Sequence, residues 1–212
     1  VRWAAELADT WRGEIAALFW PDTLDGQALT NVRNLLHKLR TVWPEVGDVL
    51  EITRQQVQWK VRPGAGIWTD VDAFERGVAE AGRLGGAAAI HLLRTSLELY
   101  TGDLLPAASD AWALAWQDRL RARRLAALGR LVDLLIEQHD FAAALHYSQL
   151  MVAAAPCDEE PYRQLMRAHA LAGDVVAARQ AYATCVAMLA REHDAPPSPA
   201  TEAVYRQFAA LA

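Results

Sequence analysis

The sequence predicts a mainly α-helical chain in which a helix–turn–helix–hairpin module is followed by stacked helix pairs. Three observations lead there. Apolar residues recur at helical spacing through most of the 212 residues. Between Leu50 and Val61 the spacing changes to alternation. Beyond Asp70 the helical period returns, and one short motif recurs 34 residues later. With 53% hydrophobic and 22% charged residues, the composition is that of a globular chain long enough to bury a core. Eight tryptophans should include several core anchors.

In the first module, Thr10 is placed to N-cap a helix from Trp11 to about Phe19, with Ile15, Leu18 and Phe19 on its apolar side. Trp20-Pro21-Asp22 ends it, because a proline biases the residue before it away from the α region. A second helix is expected from Gly26 to Val42. Its apolar stripe is Ala28, Val32, Leu35, Leu36 and Leu39, and Thr30, Arg33, Asn34, His37, Lys38, Arg40 and Thr41 cover the remainder. Trp43-Pro44 closes it. Leu50 and Ile52 then alternate with Glu51 and Thr53. After Arg54-Gln55-Gln56, Val57, Trp59 and Val61 alternate with Gln58 and Lys60. This is a β-hairpin pattern, although its turn has no Asn-Gly or Asp-Gly. Pro63-Gly64-Ala65-Gly66 reads as a loop.

Helix, turn, helix, hairpin is the order of a winged helix-turn-helix, in which the second helix enters the major groove and the hairpin touches the DNA backbone. The groove-facing side would carry Thr30, Asn34, His37 and Thr41, where Asn and Thr suit base edges. Arg33, Lys38 and Arg40 suit phosphates, and Arg54 sits at the tip of the wing. The net charge of −5 opposes such a partner only as an average. Residues 26–66 hold six basic side chains (Arg33, Lys38, Arg40, Arg54, Lys60, Arg62) against three acidic ones (Glu45, Asp48, Glu51), and both lysines of the chain are among them. A local basic face is what phosphate contact requires, whatever the total charge.

Residues 70–212 read almost wholly as helices. These are about Ala73–Ala81, capped by Asp70 and Asp72, then Ala87–Tyr100, Asp110–Gln138 and Glu160–Ala172; Asp110–Gln138 is long enough to be kinked or split. The acidic run Asp158-Glu159-Glu160 suits the positive N-terminal end of its helix. Gly173 is placed as the C′ residue that ends it. Asp140-Phe141-Ala142-Ala143-Ala144-Leu145 recurs as Asp174-Val175-Val176-Ala177-Ala178-Arg179, at the tetratricopeptide period. Alanines in both copies allow close helix approach. Stacked pairs of this kind leave a concave face, usually for protein partners.

No enzyme is expected. There is no Walker loop, dinucleotide glycine fingerprint, HExxH or GxSxG. The six histidines are scattered, and the turn at Asp140 separates His139 from His146. No catalytic residue, metal set or cofactor is expected. Cys157 and Cys185 form no CxxC pair and read as buried small hydrophobes, which fits a reducing cytoplasm. No apolar run approaches the roughly 18 residues of a spanning helix, and Val1-Arg2-Trp3-Ala4-Ala5-Glu6 has no signal-peptide pattern. A cytoplasmic location without a membrane partner is the expectation.

Several segments carry a family resemblance. Arg12-Gly-Glu-Ile-Ala-Ala-Leu-Phe-Trp-Pro-Asp22 looks like R-x-E-L-A-x-x-L-W-P-D, and Val32-Arg33-Asn-Leu-Leu-His-Lys-Leu39-Arg40 looks like L-R-x-x-L-x-x-L-R. Trp68-Thr-Asp70-Val-Asp72-Ala-Phe74 matches a D-x-x-x-F junction, and Leu99-Tyr100-Thr101-Gly102-Asp103-Leu104-Leu105 an L-Y-x-G-D-L-L signature. Pro156-Cys-Asp-Glu159-Glu-Pro-Tyr-Arg163-Gln-Leu165-Met166 is similar to P-L-x-E-x-x-x-R-x-L-M. Gly173-Asp174, Ala177-Ala178 and Tyr182 are similar to G-x-x-x-x-A-L-x-x-Y, and Pro197-Ser198-Pro199-Ala200-Thr201-Glu202 resembles P-S-P-E-T. In this order the segments resemble the SARP-type transcriptional activators (Streptomyces antibiotic regulatory proteins), from about Arg12 to Phe208. The sequence departs from that pattern at the wing, where Arg54-Gln55-Gln56 replaces glycines, and at Glu192-His193-Asp194-Ala195, where Leu-Gly is usual.

The resemblance implies a winged helix-turn-helix in 1–69, lacking the family's N-terminal sheet, and a bacterial transcriptional activator domain of tetratricopeptide-like helices in 70–212. Such activators bind direct repeats in double-stranded DNA near a promoter, often as dimers or larger sets, and recruit RNA polymerase; a homodimer is therefore one arrangement that the resemblance allows. Thr30, Arg33, Asn34, His37, Lys38, Arg40, Thr41 and Arg54 would be the DNA-binding residues. The competing reading is a tetratricopeptide-like protein-interaction or regulatory module of a larger signalling ATPase or sensor protein.

Overall fold

The structure is a computed structural model that describes residues 10–59 and 68–209. The chain divides into two compact units, residues 1–72 and 73–212, and is mainly helical.

The first unit runs β1 (Thr10–Trp11), α1 (Arg12–Phe19), α2 (Asp25–Val42), α3 (Val46–Val49), β2 (Leu50–Ile52) and β3 (Gln56–Trp59). The strands form an antiparallel sheet in the order β1-β3-β2, with Thr10 opposite Val57 and Ile52 also opposite Val57. The backbone of Thr10 therefore lies in a strand. The amide of Arg12, which opens α1, donates to the Gln55 carbonyl at 2.9 Å. The hairpin thus supplies an acceptor for the first amide of the helix. A strand precedes α1 where the sequence reading saw none. The reading of strand through Val61 and of a loop at Pro63–Gly66 lies outside the described residues.

The hairpin turn compensates for its missing glycine through Thr53. The Thr53 hydroxyl accepts from the amides of Gln55 (3.3 Å) and Gln56 (3.0 Å), while its own amide donates to Gln56 O (2.9 Å). The non-glycine residues at positive φ in the described chain are Leu105, His139 and Asp194. Arg54 and Gln55 are not among them, so the turn is not of the primed type that favours Asn-Gly.

A small core joins α1, α2 and the hairpin: Ala16, Ala28, Val32 and Leu36 are buried, with Ile15, Trp20, Ile52 and Val57 packed against them. The buried line of α2 is narrower than the sequence suggests. Ala28, Val32 and Leu36 follow at i, i+4 and i+8, but Leu35 is 41% exposed, because the surface it would need belongs to neither α1 nor the hairpin. Tryptophans behave less as anchors than expected. Trp20 is half-buried on this core, whereas Trp43 and Trp68 are exposed. A side chain that large rarely disappears completely.

The second unit is a series of packed helices: α4 (Asp70–Ala81), α5 (Gly86–Glu98), α6 (Ala111–Glu137), α7 (Phe141–Ala154), α8 (Glu159–Leu171), α9 (Val175–Glu192) and α10 (Pro199–Ala209). Each of α5 to α9 packs on the next, and α10 lies on α8 and α9. The main core gathers Leu93, Leu128, Leu131, Leu135 and Met151. α6 runs unbroken over 27 residues. α4 starts at Asp70, and its cap is Thr69, whose hydroxyl accepts from the Asp72 amide at 3.1 Å. Cys185 is buried as expected, but Cys157 is exposed, because it sits in the α7–α8 turn where no second layer covers it.

The 34-residue motif repeats in backbone detail. His139 and Gly173 both take positive φ, at 58° and 86°. The aspartate after each caps the following helix: Asp140 accepts from Ala143 N (3.1 Å) and Asp174 from Ala177 N (2.9 Å). Ala144 and Ala178, fully buried, let the helices of each pair close. Arg167 pairs with Asp133 at 2.9 Å across one full period.

Two motifs named above act as clamps. In the L-Y-x-G-D-L-L segment, Asp103 receives Arg121 through Nε (3.0 Å) and Nη2 (2.6 Å) and Tyr100 OH at 3.2 Å. Gln117 donates to the carbonyls of Leu104 (2.8 Å) and Leu105 (3.2 Å), the latter at φ 46°. In the P-S-P-A-T segment, Glu159 Oε2 accepts from the Ser198 amide (3.0 Å), the Ser198 hydroxyl (2.8 Å) and the Thr201 hydroxyl, while Arg163 also donates to Thr201 (3.0 Å). These bonds seat α10 on the start of α8.

Candidate nucleic-acid interface

α2 is amphipathic in a way that separates structural from available residues. Thr30, Asn34, His37 and Thr41 recur at i, i+4, i+7 and i+11, a spacing that places them on one stripe opposite Ala28, Val32 and Leu36. Thr30 is half-buried, and Asn34, His37 and Thr41 are exposed. The structure therefore brings four of the expected residues together on one surface.

Their hydrogen-bonding states differ. Thr30 donates its hydroxyl hydrogen to Gly26 O at 2.9 Å and Thr41 donates to His37 O at 3.1 Å. Both therefore present outward a methyl group and an acceptor lone pair. Asn31 accepts from Gln27 at 3.0 Å. Asn34 has no hydrogen-bond partner among the described residues, so both ends of its amide are available.

The charged residues bracket the stripe. Arg33 and Arg40, seven residues apart, share one flank, and Lys38 lies toward the other. All three are exposed. Arg40 Nη2 also reaches Ile52 O at a long 3.5 Å, docking that flank against β2. Arg54 is exposed at the hairpin turn, on a separate element. Lys60 and Arg62 lie outside the described residues.

Arg12, at the start of α1, joins this group, and sequence reasoning missed it. Burial, and then the positive charges of Arg33 and Arg40, push its guanidinium below its ordinary pKa, although an arginine stays charged at any physiological pH. Its Nε is buried without a hydrogen-bond partner. Arg12, Arg33, Arg40 and Lys38 have no acidic partner among the described residues. In the second unit, by contrast, Arg119, Arg121, Arg163 and Arg167 are all paired with carboxylates. Among the described residues these three mutually repelling guanidinium groups meet no carboxylate; an anion would stabilise them, and phosphate is one that their fork geometry fits. The one signal for Arg12 in the sequence was its place at the head of the first motif.

Residues 69–208 match the family model described as the bacterial transcriptional activator domain. The chain belongs to that family. The match covers nearly all of the helical unit and more than half of the chain. The resemblance to SARP-type activators stands. Among solved structures, the chain is similar to one described as Mycobacterium tuberculosis EmbR in complex with low affinity phosphopeptide. The TM-score is 0.78 at 17% identity, covering 96% of this chain and 55% of that one. The likeness establishes the fold across both units, and the chain spans about half the length of that relative. No curated protein matches it in sequence. Among the described residues, no helix is long and apolar enough to cross a membrane.

Proposed function

We propose that the chain is a sequence-specific DNA-binding activator. Its first unit acts as a winged helix-turn-helix with α2 in the major groove. The observation that carries this is the exposed polar stripe of α2, bracketed by Arg12, Arg33 and Arg40 on one side and Lys38 on the other. The stripe supplies groups that suit base edges, and the brackets supply phosphate contacts that set register. Arg54, at the tip of the β2–β3 wing, takes a backbone phosphate. The second unit, with tetratricopeptide-like pairing of its helices, carries dimerisation and the contact through which RNA polymerase is recruited. An acidic chain with a local basic face binds with modest affinity and strong salt dependence.

Gel shift with genomic fragments, at low and at physiological salt, tests this reading. Retained preference for particular fragments at the higher salt is the expected result. Lys38→Ala and Arg33→Ala each lower affinity on all fragments alike and flatten the log–log salt slope by about 1. Binding that is weak, without preference and abolished by salt would refute the proposal and leave the protein-interaction module as the better account.

A further inference from the structure

The stripe on α2 holds more information than its polarity, because the bonding state of each side chain limits which bases it can face. This step rests on the DNA-binding reading above. In the major groove, adenine offers a donor beside an acceptor, guanine offers two acceptors, and thymine adds a methyl group. The side chain matched to guanine is arginine or lysine, and the one matched to adenine is an amide. On this helix the guanidinium groups are not on the stripe. Arg33 and Arg40 lie on its flank, grouped with Arg12, and Arg40 is also engaged with Ile52 O. Lys38 lies on the other flank. The stripe itself carries Asn34, exposed and with no side-chain partner among the described residues, between two threonines whose hydroxyl hydrogens are already donated to helix carbonyls.

From this we infer that α2 reads an adenine through the Asn34 amide, with thymine methyl groups lodged against the methyls of Thr30 and Thr41. Asn34 Oδ1 accepts from adenine N6 while Nδ2 donates to N7. Guanine in the same place would set its O6 acceptor against the Asn34 carbonyl oxygen. Thr30 lies about 6 Å before Asn34 along the helix and Thr41 about 10 Å after it, at 1.5 Å rise per residue. The threonines therefore meet base pairs on either side of the adenine. Neither can donate outward without breaking its bond to Gly26 O or His37 O, so each offers a base only its methyl group and an acceptor lone pair, and the methyl suits thymine. His37 donates equally well to the N7 of either purine and does not distinguish them. The class of ligand is an A·T-containing core in which an adenine is flanked by thymines facing the same groove.

The test selects bound duplexes from a random library with the full chain at physiological salt, then substitutes single atoms in the selected site. The expected motif has one adenine whose preference disappears in Asn34→Ala. Replacing that adenine by 7-deazaadenine, which removes N7 and keeps Watson–Crick pairing, weakens binding about tenfold. Replacing either flanking thymine by uracil weakens it about fourfold, the worth of one buried methyl. Asn34 is exposed and unpartnered, so the variant folds; its circular dichroism matches that of the parent. An enriched motif whose Asn34-dependent position is a G·C pair overturns this inference and leaves DNA binding standing. So does a motif indifferent to both the 7-deaza and the uracil substitutions. A library in which no motif is enriched overturns the DNA-binding reading itself, and this inference with it.

Discussion

Gly77→Ala sets two physical effects against each other with opposite signs. Gly77 lies within α4, where replacing glycine by alanine stabilises an unconstrained helix by about 1 kcal/mol. At this site, however, a Cβ would stand 2.0 Å from Ser96 Oγ, 3.2 Å from Ser96 Cβ and 3.8 Å from a Leu92 methyl. Ser96 is 3% exposed and its hydroxyl donates to Leu92 O at 2.6 Å. Turning the hydroxyl away breaks that bond, at about 1 kcal/mol, and leaves the Cβ–Cβ contact too short. Separating α4 from α5 incurs an overpacking cost of about 1–3 kcal/mol. Subtracting the propensity gain leaves Gly77→Ala less stable by about 1–3 kcal/mol. Urea unfolding followed by far-ultraviolet circular dichroism measures this, with an unchanged m-value showing that only stability moved. The double variant Gly77→Ala/Ser96→Ala removes the clashing oxygen and recovers at least half of the loss relative to Ser96→Ala, a coupling of about 1 kcal/mol. A stabilised Gly77→Ala, or strict additivity with Ser96→Ala, would refute the close approach of the two helices.

Asp174→Ala and Asp140→Ala should each lower stability by about 1 kcal/mol in the same urea assay through loss of the cap, with Asp140→Ala losing somewhat more because Asp140 also meets Arg94 at 3.7 Å; no loss in either variant would contradict the capping role. Burial alone would raise the Glu159 carboxyl, but the bonds from Thr201 and Ser198, together with Arg163, outweigh it and hold the carboxyl below its ordinary value of 4.5. A depressed folded-state pKa adds stability that is present above the unfolded value and lost as pH falls through the folded one. Wild-type urea midpoints should therefore drop below about pH 4.5 more steeply than those of Glu159→Gln, which already lacks the charge; parallel pH profiles would show that the clamp contributes nothing through its ionisation. Arg12→Ala should weaken binding to every DNA fragment and flatten the salt slope by about 1, without changing sequence preference; a change of preference in the selection experiment would place Arg12 on the bases and not on phosphate.

Most of the long helices, the order helix–turn–helix–hairpin and the polar stripe of α2 were legible in the amino-acid sequence. Each depends on relations among residues within about four positions, which a periodic pattern records directly. What escaped the sequence depends on partners far along the chain. Thr10 became a strand residue because Val57 and the Gln55 carbonyl were available to pair. Leu35 matched the apolar period yet stayed exposed, since period describes a face and not whether another element arrives to cover it. Glu159 looked like an ordinary N-terminal acid until Ser198 and Thr201 were folded against it.

The candidate site shows the same division. The sequence alone determined which side chains α2 turns outward, because a helix of known phase has no freedom in that respect. Only the tertiary structure decided that Arg12 stands beside Arg33 and Arg40, across more than twenty residues of chain. Only the structure showed that Thr30 and Thr41 have already given their hydrogens to the helix while Asn34 keeps both ends of its amide. Local pattern sets the direction of a side chain. Which charges gather around it, and which of its donors remain, follow from packing between segments that no local pattern encodes.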